Sequence, residues 1–300
     1  MPRTQGTLFF LSLFCIWQLD TSLISTPSLS QQSGYFKEIK NWRTERQNNL
    51  MADDGWLTVT GLFFLKEGHN SFGTNPDNDI VLPTGPKKAG SFKLRNQQVT
   101  LHVETDQTLT IKGKRISTTL LYPSPTPQEI VLESLTLFVH KSGNRLAIRM
   151  RDTNSKIRKE FKGLNWYPVN ESYRVPAKFI PHEEPMKITV QNVLGDIEEF
   201  VSHGLVRLTL KGREIEMLPV DSDGLLWFIF RDLTSGTETY RAARFLYAEP
   251  PKNGWTIIDF NRAYNPPCAF NPFTTCPLPP TMNRLKLRIE SGELDYDEKH

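Results

Sequence analysis

Ser91-Phe-Lys-Leu-Arg-Asn-Gln-Gln-Val-Thr-Leu-His-Val103 decides the fold class. It divides into two short strand-forming runs, residues 91–94 and 99–103, with a polar turn between them. Reading outward, similar runs occupy residues 56–59, 61–65, 79–82, 108–111, 135–140 and 145–150. Turn clusters such as Asn75-Pro76-Asp77 and Ser142-Gly143-Asn144 separate them. Short, evenly spaced strands bounded by such turns predict a sandwich or a barrel.

A second series follows at residues 187–192, 205–210, 215–218, 225–231, 239–247, 255–260 and 285–290. Short turns between neighbours make this sheet mainly antiparallel. Between the two series, residues 163–185 carry Pro168, Pro176, Pro181 and Pro185. They read as an irregular connector packed by Trp166, Tyr167, Tyr173 and Phe179. Ahead of both series, Tyr35, Phe36, Ile39, Trp42 and Leu50 are spaced for one amphipathic helix over residues 31–52. The Asp53-Asp54-Gly55 turn closes it, and it is expected to pack on the first β domain. The expected architecture is mainly β: two antiparallel domains, residues 53–160 and 161–293, one N-terminal helix, and a loose charged tail over 294–300.

At 300 residues the chain has room for one or two domains. Its 38% hydrophobic and 23% charged residues are a globular composition. The net charge of +3 is scattered, so neither nucleic acid nor an anionic membrane is an expected partner. Residues 1–30 read as a secretory signal peptide: Arg3, an apolar run from Leu8 to Trp17, then small and polar residues up to Ser30. An uncleaved anchor or a buried helix are the alternatives. Bulky Phe14 before Cys15 argues against a lipoprotein acceptor. Secretion, or residence in the periplasm or cell envelope, is the expected location. Loss of residues 1–30 would leave Cys268 and Cys276, an even pair that is the candidate disulfide. The short, proline-flanked loop between them works against that bond.

The segment Asp259-Phe-Asn-Arg-Ala-Tyr-Asn-Pro-Pro-Cys-Ala-Phe270, continued by Thr275-Cys-Pro-Leu-Pro-Pro280, closely resembles the signature of the DUF1684 family. Thr234-Ser235-Gly236, Arg244-Phe-Leu-Tyr247, Trp56-Leu-Thr-Val-Thr-Gly-Leu62 and Lys66-Glu67-Gly68 also resemble it. The resemblance runs from about Ile39 to Glu293 and implies no established activity. A weaker likeness, Gly68-His-Asn-Ser-Phe-Gly73 followed by Asn78-Asp-Ile-Val-Leu82, is similar to the start of a forkhead-associated (FHA) sandwich. In that family an arginine in the glycine loop clamps phosphothreonine. Thr74 follows Gly73 here, so phosphothreonine binding is not expected.

No Gly-x-Ser-x-Gly elbow, His-Glu-x-x-His, Walker loop or Rossmann fingerprint occurs. No cofactor is expected, and the six histidines lack metal-ligand spacing. The richest polar constellation lies around the family signature. Trp255, Ile257 and Asp259 share one side of a strand. A six-residue connection, 249–254, sets Arg244 opposite Asp259, which predicts a buried ion pair that holds the carboxylate ionised. Asn261, Arg262, Tyr264 and Asn265 follow on a proline-stiffened loop. With Tyr240, Arg244 and Asp259 they are the candidate ligand-binding residues. An aperiodic loop pinned by its own hydrogen bonds is the structural alternative. Three readings of function stand. The first is an envelope protein that binds a small molecule or a partner at the Asp259–Cys268 loop; the others are a hydrolase-like enzyme using that loop and a structural interaction module.

Overall fold

The computed structural model describes residues 29–104 and 109–296. The expected signal peptide falls almost wholly in residues 1–28, outside the described residues. No described helix is long and apolar enough to cross a membrane.

Helix α1, Leu29–Met51, comes first. It ends where Gly55 packs against the open carbonyls of its last turn. A Cβ at Gly55 would lie 2.3 Å from the Leu50 oxygen, so only glycine fits. The front half then contributes β1 (Val59–Phe64), β2 (Gly68–Gly73), β3 (Ile80–Val81), β4 (Gly90–Arg95), β5 (Gln98–Val103) and β6 (Leu109–Ile111). It continues with β7 (Lys114–Ile116), β8 (Thr118–Tyr122), β9 (Ile130–Leu132), β10 (Leu135–Ser142) and β11 (Arg145–Asp152). One sheet runs β1-β11-β10-β9-β6-β7 and the other β3-β2-β4-β5-β8. Phe72, Phe92 and Leu101 from the second meet Leu109, Leu137 and Ile148 from the first in one dry core. That is a sandwich: alternate residues of each strand face inward and are removed from water together. The opening hairpin of the sequence is β4–β5, with Leu94 opposite Val99 and Phe92 opposite Leu101.

A short helix α2, Lys156–Glu160, leads to the rear half. Its strands are β12 (Arg174–Gln191), β13 (Ile197–Leu210), β14 (Arg213–Met217), β15 (Val220–Ser222), β16 (Leu225–Phe230), β17 (Arg244–Ala248) and β18 (Trp255–Asp259). They form two antiparallel sheets, β14-β13-β12-β18 and β15-β16-β17. Val206, Leu208, Phe228, Leu246 and Ile258 fill the space between them.

Several expectations are corrected. Residues 56–59 begin as a 3₁₀ turn, Trp56–Thr58, rather than a strand. The proline-rich segment 163–185 is not irregular throughout, because β12 starts at Arg174. Beyond Lys178, β18 no longer pairs with it, and its register with β13 shifts between Pro181 and Met186. An open edge and a bulge are where a strand tolerates missing N–H groups. Residues 285–290 form no strand. Leu285, Leu287 and Ile289 alternate inward as expected, yet the segment is a strap tied at single points, such as Leu285 N–H to the Arg231 carbonyl. Tail residues 294–296 are anchored, with Leu294 N–H on the Asn165 carbonyl and Tyr296 against Phe270.

The two halves are bolted together by polar contacts. Arg145 holds Asp196 through two nitrogens, at 2.8 and 2.7 Å, and Ser142 donates to the same carboxylate. His140 Nε2 lies 2.9 Å from Thr275 Oγ1, and Asn271 donates to the Trp56 carbonyl.

Candidate functional site

Helix α1 turns its inner stripe mainly toward the rear half rather than the first β domain. Ile39 and Leu50 are buried, and the stripe is completed by Tyr35, Trp42, Arg43 and Arg46, so its docking is largely polar. The Tyr35 hydroxyl donates to both Asp259 oxygens, 2.9 Å from each. Glu38 pairs with Arg262, and Arg46 reaches the Asn265 carbonyl at 2.9 Å and Glu293 at 3.4 Å. Arg46 also lies over the Tyr264 ring, 4.4 Å from its centroid. Phe36, read as an inward residue, is 40% exposed.

The expected Arg244–Asp259 pair does not form. β17 and β18 are successive in the chain but lie in different sheets. Arg244 stands opposite Phe230 of β16, whereas Asp259 stands opposite Arg174 of β12. Fully buried Arg244 instead binds Asp232, Nη1 to Oδ2 at 2.7 Å, and the carbonyls of Ile289 and Ser291. It fastens the C-terminal strap to the core. Gly292 makes room for it, since a Cβ there would lie 2.4 Å from the Ala263 oxygen and 2.9 Å from Arg244 Nη2.

Asp259 caps the 3₁₀ turn Phe260–Arg262. Its Oδ1 accepts from the Asn261 backbone and side-chain nitrogens, both at 3.1 Å, and Arg262 Nε lies 3.7 Å from Oδ2. Burial and the neighbouring Asp259 charge push the Tyr35 phenol well above its ordinary value, so it stays a donor. Asn261 is buried and fully engaged: its amide nitrogen meets Tyr35, Asn170 and Asp259, and its oxygen accepts from Asn170 N–H and Ser291. Asn265 is also buried and donates to the Leu294 carbonyl. Tyr240 is directed to the Cys268 carbonyl, 3.0 Å away. Asn261 and Asn265 therefore pin the loop from within, as the structural alternative required.

Asp259, Arg262 and Tyr264 do come together, at the wall of a cleft of about 910 Å³ between α1 and the outer faces of β17 and β18. The inward face of β18 is Thr256 and Ile258; the face carrying Trp255, Ile257 and Asp259 looks into the cleft. Trp255 is 53% exposed, Ile257 42% and Tyr247 38%. Tyr247 stacks on Tyr264 with centroids 6.4 Å apart, and Trp227 stacks behind Tyr247 at 5.9 Å. Arg46, Arg174 and Lys252 face Glu45 and Glu249 around this apolar floor. Trp42, Arg46, Arg174, Tyr247 and Trp255 line the cleft but were not among the candidate ligand-binding residues. Alternation had put Trp255 beside Asp259, but not on an open face. Among the described residues, no three His, Cys, Asp or Glu converge as a metal would require.

Behind the cleft, Glu293 is completely buried. Burial pushes its carboxyl up to about 6 from 4.5, against the opposing pull of Arg46. A raised folded-state value means stability that is complete below pH 4.5 and lost as pH rises through 6. The loss amounts to about 1–2 kcal/mol. Glu293→Gln removes that slope, so thermal melts of the two proteins at pH 4.5 and 7.5 should differ in this sense. Parallel pH dependence of the two proteins would contradict it.

Cys268 and Cys276 are free thiols. Burial pushes the Cys276 thiol well up, whereas a hydrogen bond from Cys276 holds Cys268 below its ordinary value.

No curated protein matches the chain. Among solved structures, an uncharacterized protein of Haloarcula marismortui, determined by solution NMR, is 29% identical. The match covers 48% of this chain and 81% of that one, with a TM-score of 0.40. The segment that builds β12 to β18 and the cleft's Asp259–Tyr264 wall, residues 159–294, matches the family described as protein of unknown function (DUF1684).

Proposed function

We propose that this chain is an exported binding protein whose ligand site is the cleft between α1 and β18. The observation that carries the reading is the exposed floor of Trp255, Ile257 and Tyr247 inside a concavity rimmed by charges of both signs. Large apolar side chains left open in a concave, polar-rimmed site are the usual surroundings of a small organic ligand. The ligand chemistry that fits is a flat apolar face to lie on Trp255 and Tyr247, with polar groups at its edge for Arg46, Arg174 or Glu249. Asp259 and Arg262 act as positioning residues, since Tyr35, Asn261 and Glu38 already engage them.

Thermal-shift screening of the full chain, with mass spectrometry of co-purified small molecules, tests this. A ligand at a hundred times its dissociation constant should add about 2.7 kcal/mol to stability. Trp255→Ala should weaken binding about tenfold without lowering the unliganded melting temperature, because the ring is half exposed. Turnover of the bound compound would favour the hydrolase-like reading. A screen with neither a shift nor a co-purified molecule would overturn the small-molecule site and leave the interaction module.

Export rests on the Arg3, apolar-run and Ser30 pattern. An FHA-like scaffold for the front half is supported by its two packed sheets; the Gly68–Gly73 segment is strand β2 itself. The Thr74 and Asn75 amides already donate to the Pro86 and Lys87 carbonyls, which argues further against a phosphate clamp there.

A further inference from the structure

The loop between Cys268 and Cys276 lies in the seam between the two halves. Asn271 donates to the Trp56 carbonyl, Thr275 meets His140, and Ala269 and Phe270 pack with Leu50 and Leu57. At its two ends the cysteines face each other. Cys268 follows the first residue of the 3₁₀ turn Pro267–Ala269 and is partly exposed. Cys276 is 5% exposed and packs among Ile188, Val190, Ala243 and Phe245. The Cys268 N–H donates to Cys276 Sγ at 3.2 Å, which brings the buried sulfur over the turn that carries the other. On the far side, Cys276 Sγ meets Thr274 Oγ1 at 3.7 Å. Neither cysteine is bonded, and each has the other as its near sulfur partner.

We propose that Cys268 and Cys276 form a redox-active dithiol, in which accessible Cys268 is oxidised first by a hydroperoxide and buried Cys276 resolves it to a disulfide. In the first step the Cys268 thiolate attacks the terminal oxygen of the hydroperoxide. An S–O bond forms, the O–O bond breaks, and the alcohol or water leaves with a proton. Cys268 is then a sulfenic acid. In the second step Cys276 sulfur attacks the Cys268 sulfur. An S–S bond forms, the S–O bond breaks, and water carries away the Cys276 proton. Two thiols and one hydroperoxide thus become one disulfide, one alcohol and one water, and an external thiol reverses the change by exchange.

Asymmetry between the two sulfurs supports this order. The neighbouring Cys276 thiol favours the Cys268 thiolate against partial burial, while burial is the main influence on Cys276 and disfavours its thiolate. The less buried residue of the two is therefore also the one whose thiolate is favoured. The disulfide would close the seam loop, fixing the segment that carries Asn271 and Thr275 against the front sandwich.

The test uses the full chain, reduced with dithiothreitol and desalted, then exposed to hydrogen peroxide and alkylated under denaturing conditions. Peptide mass spectrometry should find a Cys268–Cys276 bond formed about tenfold faster than a free cysteine oxidises. In Cys276→Ser, a sulfenic acid at Cys268 should be trapped by dimedone. In Cys268→Ser, Cys276 should remain alkylatable. Thermal melts of both variants establish that they fold. Oxidation no faster than free cysteine, first attack at Cys276, or bonds only between chains would each overturn the proposal.

Discussion

Asp232→Ala lowers the unfolding free energy by about 3–5 kcal/mol, because it leaves Arg244 a buried cation with no carboxylate. Both side chains of this pair are fully withdrawn from water. Arg244 keeps only the Ile289 and Ser291 carbonyls, which cannot neutralise it. Asp232 also accepts from the Thr234 and Ile289 amides, so the substitution loosens the turn after β16 and the strap together. Arg244→Met should cost a similar amount by stranding Asp232. The double variant Asp232→Leu, Arg244→Met should cost clearly less than the sum, since no charge is left alone. Urea unfolding followed by tryptophan fluorescence measures all three. Additive costs would mean the two charges do not interact.

That pair also marks the limit of what the sequence disclosed. Asp259 was recognisable as a carboxylate in need of a cation, but the strand read over residues 239–247 begins only at Arg244 and runs to Ala248. The partner was chosen by assuming that strands joined by a six-residue connection pair with each other. Here the chain leaves one sheet after Ala248 and enters the other at Trp255, so the connection is a crossover between sheets. Nothing local distinguishes a hairpin from such a crossover when both use a Gly-Pro-rich turn of the same length. Strand alternation did survive: Trp255, Ile257 and Asp259 share a side, as a period of two requires. Alternation cannot say which side is wet, because apolar residues lining a cleft look like core residues in sequence. Helix α1 was legible from Ile39, Trp42 and Leu50. Its place over the rear half depends on Arg43 and Arg46, charged residues that a hydrophobic pattern assigns to solvent. In the front sandwich the longer strands were legible from their turns and apolar runs, whereas β2, β7, β8 and β9, short or interrupted by polar residues, were not.

His140→Gln should remove a large part of the acid sensitivity of this fold. His140 lies in the seam, with its Nε2 on the Thr275 hydroxyl and Arg149 nearby. Burial lowers it from 6.5 to about 3, the Arg149 charge lowers it further, and Asp196 opposes both. The folded protein therefore holds this imidazole neutral where the unfolded chain protonates it. For a lowered folded-state value, the stabilisation is complete above 6.5 and is lost as pH falls toward 3. Between about pH 7 and pH 4 the loss from this one group is about 3 kcal/mol, less whatever water entering the seam screens. Other carboxylates titrate in the same range but do so equally in both proteins. The difference between wild type and His140→Gln in urea unfolding, measured at the two pH values, thus isolates the imidazole. Gln keeps an amide that can reach Thr275, so the variant should be close to wild type at pH 7 and more stable at pH 4. If the two curves fall in parallel, His140 accepts its proton in the folded state at an ordinary pH. The seam between the halves would then be open to water.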